Sequence, residues 1–118
     1  MLFRIDPASS QGLADQIAAQ VRRALIEGRL SPGDRLPAAR ELAEGLDVNM
    51  HTVLRGYSQL REEGLVEVRR GRGAQIRSGD RAVLRQEAEL TSAITELKEL
   101  AARLGIDRDQ LADRIRRA

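Results

Sequence analysis

The chain has 118 residues, which fits one domain of ordinary size or a small domain with an appendage and leaves little room for a two-domain enzyme. With no cysteine and one histidine, disulfides, thiol catalysis and cysteine-bearing zinc sites are excluded, and neither a metal nor a cofactor is expected. Hydrophobic residues make up 42% and charged residues 32%, as in a folded chain with an aliphatic core, and the net charge of +2 hides an unusual choice: 19 of the 20 basic residues are arginine, Lys98 being the exception.

Arginine serves bidentate recognition of phosphate and guanine, and it also follows from a GC-rich genome; composition does not separate the two. Residues 1–79 hold twelve basic and ten acidic residues, and residues 80–118 hold eight of each. The start, Met-Leu-Phe-Arg-Ile-Asp, has no cationic segment followed by a long apolar run. No stretch nears the ~20 apolar residues of a membrane span, so a cytoplasmic protein without a membrane partner is expected.

After a short extended start at residues 2–5, Leu13, Ile17, Val21, Ala24 and Leu25 make a helical stripe across residues 12–27. Gly28 stands where a helix C-terminus favours glycine, and Ser31-Pro32-Gly33-Asp34 signals a turn. A short second helix follows Pro37, with Leu42 and Ala43 as its core face and Gly45 as its expected stop. Asn49 can accept a hydrogen bond from an amide in the first turn of a third helix, about residues 50–63. Two helices joined by so tight a turn form a helix-turn-helix. On the third, Val53, Gly56, Tyr57 and Leu60 share one face, while His51, Arg55, Ser58 and Glu62 point the other way. Glycine inside a helix costs about 1 kcal/mol relative to alanine, so close packing against a neighbouring helix is the expected use of Gly56.

Residues 65–68 and 74–77 are strand-like runs around Arg69-Arg70-Gly71-Arg72-Gly73, a hairpin with a basic tip. The fold class is therefore mainly α with a small β-hairpin wing: a winged helix-turn-helix over residues 1–78, followed by C-terminal helices over 79–118 that are expected to serve dimerisation. From Asp80, a long helix carries Leu84, Ala88, Thr91, Ile94, Leu97, Ala101 and Leu104 at steps of three or four, close to a heptad seam. Gly105 closes it; Asp107 caps a last helix with Gln110 placed for a capping box and Leu111 and Ile115 on one face. So thin a hairpin cannot bury both faces alone. It packs on the N-terminal domain or pairs with a second copy, and the long one-sided seam fits pairing better.

The blocks Leu30-Ser31-Pro32-Gly33-Asp34-Arg35-Leu36-Pro37, Arg40-Glu41-Leu42-Ala43, Val48-Asn49, Thr52-Val53, Arg55, Tyr57, Leu60 with Glu62-Glu63-Gly64-Leu65-Val66, and Arg70-Gly71-Arg72-Gly73 together resemble the GntR family of bacterial transcriptional regulators, over residues 15–76. Asn49, Thr52, Arg55 and Tyr57, with the short helical tail, look most like the YtrA-type branch. That resemblance implies two C-terminal helices used for dimerisation, and hence a homodimeric repressor that binds a double-stranded, palindromic operator and is not an enzyme. Two departures stand out. Ala38-Ala39-Arg40 replaces the common Ser-Glu-Arg, removing the serine end of a capping box. Met50 and Leu54 replace arginines that contact DNA in many members, so those contacts do not carry over.

The recognition helix is expected to enter the major groove with its amino-terminal residues nearest the bases. Arg55 would bond guanine or phosphate, or else pair with Glu62 or Glu63. His51 would meet a base edge or phosphate, or only solvent. Thr52 offers a hydroxyl to phosphate, a methyl to thymine or a bond within the helix, and Met50 a thymine contact or packing. Asn49 is first a cap. By resemblance Arg40 reaches DNA; its alternative is an i,i+4 pair with Glu44. Arg70, Gly71 and Arg72 at the wing, with Arg69 and Arg77 nearby, suit phosphate or the minor groove. A winged-helix protein-interaction module is the rival reading. With no sizeable ligand domain, a small-molecule effector, its identity unknown, has room only at a dimer interface or between wing and helix.

Overall fold

In the computed structural model, which describes residues 1–69 and 73–118, the chain runs α1 (Leu13–Ile26), α2 (Ala39–Leu46), α3 (Met50–Glu62), β1 (Val66–Arg69), β2 (Gly73–Ile76), α4 (Arg81–Arg103) and α5 (Arg108–Arg117). The α1 stripe of Ile17, Val21, Ala24 and Leu25 is buried, and it packs against α3, whose Val53, Tyr57 and Leu60 point back at it. Gly56 sits at the crossing. A Cβ there would lie 3.0 Å from the Ala14 carbonyl oxygen and 3.2 Å from Ile17 Cγ2, so the two helices approach as closely as they do because residue 56 has no side chain.

Between α2 and α3 the chain turns where the sequence does not mark it. Gly45 lies inside α2, and the left-handed residue that ends the helix is Asp47, at φ 55°. Aspartate is among the few L-residues that tolerate this conformation, so the turn falls two residues later than the glycine suggests. The Ala38 cap position makes no side-chain hydrogen bond, as the missing serine implies.

The hairpin is antiparallel, with Val66 opposite Ile76 and Arg69 opposite Gly73. Residues 33–36 add a partial third strand: the Ile76 N–H donates to Asp34 O at 2.7 Å, and the Leu36 N–H donates to Ala74 O at 2.9 Å. This edge ties the turn before α2 to the wing. The amino-terminal segment is held in a similar way by side chains of α1. The Asp6 N–H donates to Gln16 Oε1 at 2.7 Å, and Gln16 Nε2 returns a bond to Asp6 O at 2.9 Å. Gln20 brackets Arg4 in the same fashion, which seats Phe3 in the core.

The seam drawn along α4 proves to be two faces. Leu84 and Ala88 belong to the chain's own core, packed where α4 meets α1, and are not available to a second copy. The reason is geometric. From Ala88 the apolar residues step by three to 91, 94 and 97, and each such step turns the line about 60° around the helix. Thr91 is half-buried, and by Ile94 and Leu97 the line faces outward. There, with Leu104, it joins Val83 and Leu90, which the heptad spacing does not include, in an exposed stripe spaced 83, 90, 94, 97, 104. Ala101 is buried near the corner with α5, where the Ile106 N–H donates to Ala101 O at 2.8 Å. Helix α5 opens on the expected capping box of Asp107 and Gln110; Leu111 is half-buried and Ile115 exposed. No helix among the described residues is long and apolar enough to cross a membrane.

Candidate nucleic-acid interface

The amino end of α3 carries the exposed polar side chains. Asn49 precedes it, and its side-chain oxygen accepts from the His51 N–H at 2.8 Å, which spends that oxygen on the cap. His51 and Arg55 follow on the outward face, both exposed. Glu63, one of the expected partners of Arg55, is taken: the buried Arg22 on α1 holds it through Nε at 2.8 Å and Nη2 at 2.6 Å. No ion pair involving Arg55 or Arg40 forms among the described residues, so neither the Glu62 pair nor the Arg40–Glu44 pair is present. Both guanidinium groups face solvent with their donors free of carboxylates.

Two of the residues assigned to this surface are wholly or partly drawn into the core. Thr52 is 8% exposed, because its position on α3 turns it toward the core face beside Val53 and Gly56. Met50 is half-buried: it packs against the core and also borders an open groove with Arg40 and Asp47. Arg70, Gly71 and Arg72 lie outside the described residues. Of the flanking arginines, Arg69 pairs loosely with Glu67 at 3.5 Å, and Arg77 turns to the hairpin base, where its guanidinium donates to Gly64 O at 3.4 Å.

The frame behind α3 is stiff. Tyr57 Oη donates to Pro37 O at 2.7 Å, joining the core face of α3 to the segment before α2, and burial pushes its phenol well above the ordinary value. Arg22 clamps the residue that follows α3 and leads through Gly64 into the wing, so helix and hairpin are fixed to α1 together. One surface feature escaped the sequence reading. Leu54 on α3 and Val68 on β1 are exposed, and both line a groove of about 300 Å³ between helix and hairpin, with Ala38, Ala39, Tyr57, Ser58, Arg61 and Ala74. The signal was present in Leu54, an apolar residue on a face otherwise polar. No cluster of three or more His, Cys, Asp or Glu side chains able to hold a metal occurs among the described residues.

Residues 13–76 match the family described as bacterial regulatory proteins, gntR family. The HTH-type transcriptional repressor YtrA of Bacillus subtilis (strain 168) is 37% identical over 99 residues, covering 84% of this chain and 75% of that protein. The structure of YtrA from Sulfolobus acidocaldarius, a GntR-family transcription factor, superposes with a TM-score of 0.63 at 32% identity over 98% of this chain and 94% of that one. The DNA-binding domain of AraR in complex with operator ORX1 shares the fold over 64% of this chain and 92% of that domain, at TM-score 0.54 and 23% identity.

Proposed function

The chain belongs to the gntR family of bacterial regulatory proteins, a DNA-binding transcriptional regulator, and we propose that it is a homodimeric cytoplasmic repressor of a palindromic operator. The observation that carries the reading is the outward face of α3, where His51 and Arg55 stand unpaired in front of a helix whose first turn is already capped by Asn49. Such a helix enters the major groove, and Arg55 reads guanine or grips phosphate there. Arg40, free of Glu44 on the neighbouring helix, reaches the flanking backbone, and the wing with Arg70, Gly71 and Arg72 follows the strand beyond it.

The dimer forms through the exposed stripe along α4, Val83, Leu90, Ile94, Leu97 and Leu104; Ile115 of α5 is exposed as well. Spacings of seven, four, three and seven keep these side chains on one seam, as helix pairing requires. Two recognition helices related by a two-fold axis then meet two half-sites, which is why the operator is palindromic.

The test is operator affinity by fluorescence anisotropy. Arg40→Ala and Arg55→Ala each weaken specific binding about tenfold or more, within the 1–3 kcal/mol of one good contact, with the melting temperature unchanged. Unaltered affinity in both variants removes the proposed surface.

A further inference from the structure

We infer that Leu54 is a specificity determinant that reads the 5-methyl group of a thymine in the operator. The inference rests on the DNA-binding reading above and adds the chemistry of one base contact to it. Outside the first two residues and the C-terminal helices, Leu54 and Val68 are the exposed large hydrophobic side chains among the described residues, and both border the same groove between α3 and the hairpin. The core face of α3 is already filled by Val53, Tyr57 and Leu60, and Leu54, 42% exposed at the rim of that groove, makes with Val68 an apolar patch open to a partner. Leu54 lies one turn beyond His51 and one turn before Ser58, on the face presented to the groove of DNA.

The charge around it selects the occupant. Arg40, Arg55, Arg61 and Arg69 are exposed on the elements that surround Leu54, a setting suited to phosphates on either side of an apolar contact. Within the major groove the bases offer donors and acceptors, and a single apolar group, the C5 methyl of thymine. Arginine at residue 54 would ask for guanine; leucine has one complementary base edge. Val68 forms the far wall of the groove and keeps water from the Leu54 side chain once DNA is seated.

The experiment starts by selecting duplexes from a random library with the full chain. Each thymine of the selected site is then replaced singly by uracil, which deletes the methyl and nothing else. The wild-type chain is expected to bind about fourfold more weakly at one such thymine, the worth of one buried methyl. Leu54→Ala binds the thymine and uracil duplexes equally there, and Leu54→Met restores the preference; the melting temperature stays unchanged because residue 54 is exposed. Indifference of the wild type to uracil at every position overturns the inference. So does a Leu54→Ala chain that keeps the full preference, or one that loses affinity while the thymine preference persists. Failure to select any duplex overturns the DNA-binding reading and this inference with it, whereas selective binding without methyl dependence overturns the Leu54 contact alone.

Discussion

Three residues set the position of the recognition helix from behind. Gly56 lets α1 and α3 touch, Arg22 holds Glu63 at the end of α3, and Tyr57 reaches the Pro37 carbonyl. Removing one partner of a buried ion pair is expensive because the other charge is left without its bonds, so Arg22 is a structural residue despite its charge. Tyr57 gives a measurable consequence. Tyr57→Phe is expected to cost about 1 kcal/mol, the worth of one hydrogen bond, in chemical denaturation. Burial raises the phenol's folded-state pKa above that of the unfolded chain, so its contribution to stability is whole below about pH 10 and is lost as pH rises further. As the sole tyrosine, it reports directly: tyrosinate absorbance in the native protein lags behind the titration of the denatured chain. Coincident titration curves contradict the buried placement.

At the scale of elements, α4 divides its apolar residues between two tasks. Leu84→Ala, inside the core, is expected to cost about 2–5 kcal/mol of stability and to leave the folded fraction dimeric. Leu90→Arg together with Ile94→Arg, on the exposed stripe, yields a folded chain that sediments as a monomer. A double variant that remains dimeric removes the seam. This division shows where the sequence was legible. The helices, the hairpin and the Asn49 and Asp107 caps each have a local cause, a stripe, an alternation or a side-chain oxygen in the right place, and each was readable. The faces of α4 were not, because steps of three and four look alike in a string while three successive steps of three rotate the stripe half a turn. Asp47 replaced Gly45 at the turn because either residue tolerates a left-handed backbone and only the length of α2 decides which is used. Phe3 and the strand edge at 33–36 were unreadable for another reason: their partners, Gln16, Gln20 and Ala74, are far along the chain. At the candidate site, exposure separated Arg40, His51 and Arg55 from Thr52, a distinction that required knowing how α3 is rotated against α1.

At the scale of the whole molecule, the core runs past residue 78 into α4, so the winged helix and the C-terminal helices share one interior through Leu84 and Ala88. The radius of gyration, 15.0 Å, exceeds the roughly 13.5 Å of a compact chain of this length, and α5, which packs on α4 and has no buried residue, is the element outside that core. Extension without burial leaves an apolar stripe exposed on α4; in the proposed dimer, twofold pairing along that stripe would turn two recognition helices into one reader of a palindrome. The net charge of +2 conceals this, since acidic residues of the C-terminal helices balance their own arginines and the excess stays with the amino-terminal part. The most direct test is to pass random and genomic duplexes over the full chain and sequence what it retains. The expected result is a palindrome with half-site centres about 10 base pairs, or a multiple, apart, whose enrichment is lost in Arg55→Ala. Retained DNA with no common sequence, or equal enrichment by the variant, contradicts a recognition helix that reads an operator.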